Sequence, residues 1–250
     1  MTEKKSVTVT IYKNEYTLKG EAEPQHIMDL AHYVDAKMTV GIHNYIVGSL
    51  SWAGRAAVAL VGVTGNRQKG LEYLREVSRS HGTSSNDATM ALSLFLRREE
   101  RYQEALELVG RVSREYPRNF VLAAEYAHLL NAAGHGREAI EQYRIVLQNG
   151  REGKYSTFRP EVAAWGLGVS LRGQHEFQQA AVAFDLVATC SDVEPSLLDR
   201  AALAAGEMYD TLEEREQAVS RYRKTIAGGR DPDAVAAARK HLRHPYHFTG

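Results

Sequence analysis

The chain has 250 residues, of which 44% are hydrophobic and 25% are charged, so a folded protein with a substantial core is expected. Its 31 basic and 31 acidic residues cancel, which removes any strong electrostatic argument for nucleic acid or an anionic membrane and leaves room for a local patch. The single cysteine, Cys190, excludes an intrachain disulfide and a cysteine-pair metal site. The first twenty residues contain no hydrophobic run typical of a signal peptide, and we expect a cytoplasmic protein.

Residues 7–19, VTVTIYKNEYTLK, alternate apolar and polar side chains and predict a β-hairpin. A two-residue turn at Lys13 and Asn14 would pair Ile11 with Tyr16. The apolar face of this hairpin would then hold Val9, Ile11, Tyr16 and Leu18. A helix that starts at Glu23-Pro24 is expected to cover the face with a stripe of Ile27, Leu30, Val34 and Met38.

The stretch VTVTIYKNEYTLKGEAEPQHIMDLAHYVDAKM resembles the N-terminal head of the ZapA family of bacterial cell-division proteins. The shared features are the TIY-x-x-EYTL hairpin, the Gly-acidic-Ala-acidic-Pro helix start and the LAxYVDxKM helix end. The resemblance implies a head, residues 1–38, that contacts the tubulin-like protein FtsZ, with Lys13, Lys19 and Lys37 as candidate contacts. The coiled coil through which that family assembles is not found after Thr39, where glycines interrupt any heptad pattern.

Residues 39–84 are interpreted as a connecting segment followed by a degenerate helical hairpin, 51–84. Gly70, Leu74 and Val77 take core positions in this hairpin. Residues 46–63 are apolar enough to be considered as a membrane span. Because Arg55 lies in their middle, a buried helix of the hairpin is the preferred interpretation and no membrane span is expected.

Alanine recurs inside one helical pattern at Ala105, Ala139, Ala180 and Ala218, with spacings of 34, 41 and 38 residues. Twelve positions before each alanine the sequence has a small residue, and these residues are Ser93, Ala127, Gly168 and Gly206. Two antiparallel helices approach closely where both carry small residues. The pattern therefore predicts tandem helical hairpins.

Residues Trp165–Phe184, WGLGVSLRGQHEFQQAAVAF, resemble the tetratricopeptide repeat (TPR) consensus, and Gln103–Asn119 resemble its second half. The resemblance implies a mainly α fold, a TPR-type helical-hairpin solenoid preceded by the small β-hairpin and helix. Its four repeats would be 86–119, 120–153, 161–194 and 199–232, within residues 86–232. Residues 233–250 are expected to form a capping helix and a polar tail.

In TPR proteins the first helices line a groove that holds a partner protein or peptide segment. The register places twelve candidate groove residues: Met90, Leu94, Arg97, Arg98, His128, Asn131, Trp165, Val169, Arg172, Arg200, Leu203 and Glu207. Trp165 is either an interface hot spot or a residue packed against the neighbouring repeat.

The sequence contains no clear catalytic motif: it shows neither a Ser-His-Asp set nor a phosphate-binding loop. His241, His244 and His247 are interpreted as part of a polar tail, so no metal site and no cofactor are expected.

The leading hypothesis is a non-enzymatic interaction scaffold without a nucleic-acid partner. It binds a protein segment in the TPR groove and contacts FtsZ through the head. The alternatives are an enzyme or enzyme-associated subunit whose active site the sequence does not show, and a TPR scaffold unrelated to division.

Overall fold

A computed structural model describes the backbone of residues 5–11, 14–20, 24–60, 62–80 and 84–248, and the side chains in these ranges from residue 36 onward. Within these ranges the chain is mainly helical, with twelve α-helices and two short strands. Its contacts divide it into two compact units, Met1–Val109 and Gly110–Gly250. None of the helices in the described ranges is both long and apolar enough to cross a bilayer.

The first unit begins with two antiparallel strands, β1 (Lys5–Ile11) and β2 (Asn14–Gly20). Ile11 lies opposite Asn14 instead of Tyr16, so the predicted register is wrong by two residues. The strands leave positions 12 and 13 between them, because Asn14 pairs in the ladder instead of forming the turn. A two-residue slip preserves the alternation of side chains, so the four apolar residues keep register positions on one face.

Helix α1 (Pro24–Gly48) is a single helix of 25 residues that passes through the predicted head boundary at residue 38. Its C-terminal half packs against α3 (Arg67–Ser78), where a Cβ atom at Gly70 would lie 2.5 Å from the backbone nitrogen of Tyr45. The glycine therefore permits a backbone approach that a larger residue would prevent. Helix α4 (Ser85–Arg98) also packs against α3 and contacts α1.

Helix α2 (Trp52–Ala59) contradicts the prediction for residues 46–63, because it contains no buried residue. The predicted hairpin 51–84 is also wrong, because α3 packs antiparallel to α1 and not to α2. Apolar composition alone suggested a buried helix at this place. Helix α1, which makes close glycine contacts with α3, instead occupies the position beside α3 that was expected for α2.

Helix α5 (Tyr102–Glu115) follows α4, and Ala105 and Val109 are fully buried at its centre. The second unit then contains three hairpins and a last helix. Its helices are α6 (Phe120–Ala132), α7 (Gly136–Arg151), α8 (Pro160–Gly173), α9 (Phe177–Val187), α10 (Pro195–Thr211), α11 (Arg215–Gly228) and α12 (Pro232–Arg243). One continuous core runs through this unit from Phe120 to Ala238.

The small residues of the first helices lie at close contacts, as predicted. A Cβ atom at Gly168 would lie 2.6 Å from the ring of Phe184, and one at Gly206 would lie 2.6 Å from the ring of Tyr222. Ala127 and Ser93 occupy the equivalent positions and are buried. In the α8–α9 and α10–α11 hairpins an aromatic ring of the second helix thus lies directly on the first helix.

The turns inside the hairpins repeat as well. Positive φ angles occur at Glu100, Gly134, His175 and Glu213, with the same spacings of 34, 41 and 38 residues as the alanines. The extra residues between repeats therefore lie outside the hairpins. The insertion that includes Lys154 to Thr157 carries Tyr155, which contacts Phe120 edge to face at 5.9 Å between ring centres.

Replacing Gly168 by leucine is expected to destabilise the protein by about 1–3 kcal/mol, because the new side chain would overlap the Phe184 ring. The midpoint of chemical denaturation measures this change. Gly173→Leu is the matched control, since a Cβ atom there meets no atom within 4 Å. Equal midpoints for the two variants would show that the contact at Gly168 is not close.

Candidate functional site

The first unit contributes four of the predicted groove residues, all on α4. Leu94 and Arg98 are exposed, whereas Met90 and Arg97 are half-buried. The neighbouring Phe95 stacks on the ring of Tyr45 at 3.8 Å between ring centres. This contact fixes one side of α4 and leaves Leu94 and Arg98 available to a partner.

The second unit contributes the other eight predicted groove residues. They are His128 and Asn131 on α6, Trp165, Val169 and Arg172 on α8, and Arg200, Leu203 and Glu207 on α10. His128 and Arg200 are exposed, and the other six are half-buried. Val169 and Leu203 pack against the core, so the solvent-facing part of this set is smaller than predicted.

Trp165 packs against its neighbours and also borders the surface. Its ring lies 5.2 Å from the ring of Phe184, and it contacts the cluster formed by Ala164, Val187 and Ala201. The guanidinium of Arg200 lies 5.9 Å from the Trp165 ring centre, a cation–π distance. The indole therefore stabilises the junction of two hairpins, and Arg200 covers part of its outer face.

Two exposed valines at the starts of α6 and α8 are missing from the sequence-based set. Val121 is 61% exposed and Val162 is 37% exposed. Val121, Val162 and Arg200 are separated by 41 and 38 residues, the spacing of the repeat alanines, so they occupy one repeat position on three successive first helices. The same spacing could have identified them. With Trp165 and His128 they form what is called here the first-helix face.

The C-terminal segment, predicted to be a polar tail, packs against α9 and α10 of the second unit. The backbone N–H of Tyr246 donates to Asp210 Oδ2 at 2.8 Å. The ring of Phe248 lies 5.1 Å from that of Phe177. Partial burial of the Tyr246 and Phe248 side chains favours this packing over a solvated tail.

Glu207 lies beneath this segment and is mostly shielded from water. Burial raises the pKa of its carboxyl to about 7, with Arg172 opposing the shift and Asp210 adding to it. The Nε2 atom of His241 on α12 lies 3.6 Å from Glu207 Oε1, and burial lowers the pKa of this imidazole. Glu207 is therefore part of the closed end of the unit and is not open to a partner.

A separate groove of about 770 Å³ lies on the second helices, between α7 and α9. Leu147, Leu167 and Leu171 line its apolar side, and Val182 is 58% exposed. Its polar residues include Arg144, which donates to Gln179 at 2.7 Å. This second-helix groove was not predicted, because the sequence pattern was used to place the first helices only.

Of the three predicted head contacts, Lys37 is the one whose side chain the structure describes. Lys37 forms an ion pair with Glu76, and its side chain is only 13% exposed. It also lies 5.4 Å from the centre of the Tyr73 ring, so its charge is engaged within the first unit, and its contact with FtsZ stays a prediction. Lys13 lies outside the described residues, and the side chain of Lys19 is outside the described part of the chain.

Glu207→Gln is expected to flatten the pH dependence of stability. In the native protein Glu207 stays protonated up to about pH 7, whereas the unfolded chain loses this proton near 4.5, so stability falls as the pH rises between these values. The loss is on the order of 3 kcal/mol and is removed by glutamine. The contribution of His241 to the pH dependence of stability has the opposite sign, because its pKa is lowered in the folded protein and stability is lost as the pH falls below 6.5.

Melting temperatures between pH 4 and pH 8 measure this effect, with Glu216→Gln, at an exposed position of α11, as the control. If the Glu207→Gln and Glu216→Gln profiles coincide, Glu207 does not carry the pH dependence.

Comparisons with known proteins support the fold. No protein-family model and no curated protein matches the sequence. Among solved structures, MamA (residues 41 to the end) of Desulfovibrio magneticus RS-1 is similar with a TM-score of 0.53 and 16% identity, over 66% of this chain and 87% of that chain. YrrB, a TPR protein with an unusual peptide-binding site, has a TM-score of 0.52 and 18% identity over 69% of this chain and 83% of that chain. A tetratricopeptide repeat protein of Parabacteroides merdae ATCC 43184 has a TM-score of 0.51 and 16% identity over 73% of this chain and 74% of that chain. At these identities the likeness establishes the fold, an array of TPR-type helical hairpins.

Proposed function

We propose that this protein is a non-enzymatic interaction scaffold whose first-helix face binds an extended or helical segment of a partner protein. The observation that carries the proposal is the row of Val121, Val162 and Arg200, exposed at one repeat position on three successive helices. Stacked hairpins keep equivalent positions on one face, so the row can follow a partner segment over several residues.

The chemistry of the row indicates which partner would fit. Two exposed valines can bury apolar side chains of the partner. The ion pairs of Arg200 are long, 3.8 Å from Glu194 and 3.7 Å from Asp231, and such exposed pairs contribute little. Its guanidinium can therefore exchange them for a carboxylate of the partner while it stays over the Trp165 ring. A segment with apolar residues and an acidic residue fits this surface.

Enzymatic function is the main alternative, and Glu207 with His241 is the pair that most resembles an acid and base. Both are protected from substrate, because their side chains are only 14% and 13% exposed. A catalytic pair must reach the proton that it transfers. The geometry therefore favours a structural role for this pair.

Replacing Val162 by aspartate is expected to weaken partner binding at least tenfold, because a buried interface charge without a partner typically costs more than about 1.4 kcal/mol. The partner is first identified by crosslinking to the wild-type protein, and its affinity is then measured by calorimetry. Val182→Asp, on the exposed wall of the second-helix groove, is the matched variant. If Val182→Asp lowers the affinity and Val162→Asp does not, the second-helix groove is the binding surface.

A role in cell division, with FtsZ as a partner of the head and a cytoplasmic location, is the more specific form of the proposal. It rests on the resemblance of residues 6–38, and none of the comparisons supports it. Lys37 is engaged inside the first unit, so Lys13 and Lys19 are the candidate contacts to test.

If the head binds FtsZ, the purified protein is expected to pellet with polymerised FtsZ at low salt, where charge-dependent binding is strongest. Lys13→Glu with Lys19→Glu should abolish the pelleting. Lys224→Glu, at an exposed position of α11, should leave it unchanged. An absence of pelleting at low salt would remove the division hypothesis and leave the scaffold proposal intact.

A further inference from the structure

Helix α2 is the most exposed apolar element of the described chain. Trp52 is 79% exposed and Leu60, which follows the helix, is 89% exposed. With Ala56 these residues recur every four positions, so they lie on one side of the helix. The preceding Leu50 is also exposed and lies beside Gly54. A Trp-led apolar stripe of this kind is unusual at a surface that faces only water.

The length of α2 adds to this observation. It has eight residues, too few for an isolated helix to be stable in water. The side chain of Ser51 accepts a hydrogen bond from the Gly54 N–H at 3.3 Å, which caps its first turn. No residue of α2 is buried, so packing inside the described part of the chain does not stabilise it. A surface that covered the stripe would supply the missing stabilisation.

The sequence around α2 carries charge of one sign, although Lys37 and Arg67 are ion-paired with Glu76 and Glu99 from outside this segment. Between Asp35 and Glu72 the sequence has no acidic residue, whereas it has four basic ones, Lys37, Arg55, Arg67 and Lys69. Arg55 lies three residues after Trp52, at the edge of the apolar stripe. Its backbone N–H donates to Ser51 O at 2.9 Å, whereas its guanidinium makes no ion pair or hydrogen bond with the described residues. This local excess of positive charge contrasts with the neutral chain as a whole.

A polar recess of about 460 Å³ adjoins the stripe. Its lining includes Arg55, Arg67, Ser49, Asn66 and Gln68. The Arg67 side chain is 55% exposed and lies 3.4 Å from Glu99, a pair that solvent screens. Two guanidinium groups beside hydroxyl and amide groups can bind the phosphate of a lipid headgroup.

We propose that α2 docks on an anionic lipid bilayer, with Trp52 and Leu60 inserted at the interface and with Arg55 and Arg67 on lipid phosphates. Tryptophan is favoured at the depth of the headgroups, and leucine is favoured just below it. Basic residues close to an anionic leaflet add to the attraction. The helix lies on the membrane and does not span it.

A second copy of the chain fits this surface less well. In a symmetric dimer each patch would meet its own equivalent, so two patches that both contain Arg55 and Arg67 and no acidic residue of the segment would be brought together. An anionic bilayer instead supplies the opposite charge together with an apolar layer.

Vesicle flotation of the full chain tests the proposal. We expect the protein to float with vesicles of phosphatidylcholine and phosphatidylglycerol at low salt, and to remain at the bottom with phosphatidylcholine alone. Trp52→Ser with Leu60→Ser should abolish flotation, and Arg55→Gln should lower the partition coefficient about fivefold. Ile145→Ser, which removes an exposed isoleucine on α7, is the control and should float as the wild type does.

The serine variants should melt at the wild-type temperature, because neither residue is buried. In a Trp165→Phe background the fluorescence of Trp52 should shift to shorter wavelength on binding, since the chain has two tryptophans. The proposal is overturned if the wild type does not float with anionic vesicles, or if it floats equally well without Trp52 and Leu60. Sedimentation of a dimer that the two serines dissociate, without vesicle binding, would assign the stripe to a second copy and would also overturn it.

Discussion

The contact between a residue without side-chain bulk and an aromatic ring determines how the second unit is closed. Because Gly206 has no Cβ atom, the ring of Tyr222 lies directly on α10. From this position the Tyr222 hydroxyl donates to Asp210 Oδ2 at 2.8 Å. The same carboxylate accepts the N–H of Tyr246, so the glycine contact places the group that holds the C-terminal segment. A side chain at position 206 would move the ring, the carboxylate and that segment together.

Two buried carboxylates on α10 extend this arrangement to the last helix. Both carboxylate oxygens of Asp210 accept from Nη1 of Arg215 at 2.9 Å, and Nη2 of Arg215 donates to the backbone carbonyls of His241 and Leu242 at the end of α12. Asp199 accepts the N–H groups of Arg230 and Asp231, which precede α12. Buried carboxylates are tolerated when each is fully hydrogen-bonded, as these are. Both ends of α12 are therefore held by charge-assisted bonds, and its packing on α10 and α11 ends the series of hairpins.

The repeats could be predicted from the sequence because each hairpin depends on residues at fixed short spacings. The small residues at 127, 168 and 206 and the alanines at 139, 180 and 218 are visible without any knowledge of distant contacts. Apart from the two-residue register error in the N-terminal hairpin, the errors concern contacts between residues far apart in sequence. The exposure of α2 depends on α3 pairing with α1, and the packing of Phe248 depends on Phe177, more than seventy positions earlier. The burial of Glu207 depends on α12 in the same way, so it could not be read from its own helix.

The continuity of α1 has a consequence for how the N-terminal part of the protein unfolds. Helix formation is cooperative, and α1 carries the β1 contact at one end and the α3 contact at the other. No flexible linker separates the two contacts, because the helix runs from Pro24 to Gly48 without a break. Melting of the N-terminal turns therefore shortens the same helix that supports α3, and truncation at residue 38 would cut through it. The strands and the first helix pair thus share one continuous helix.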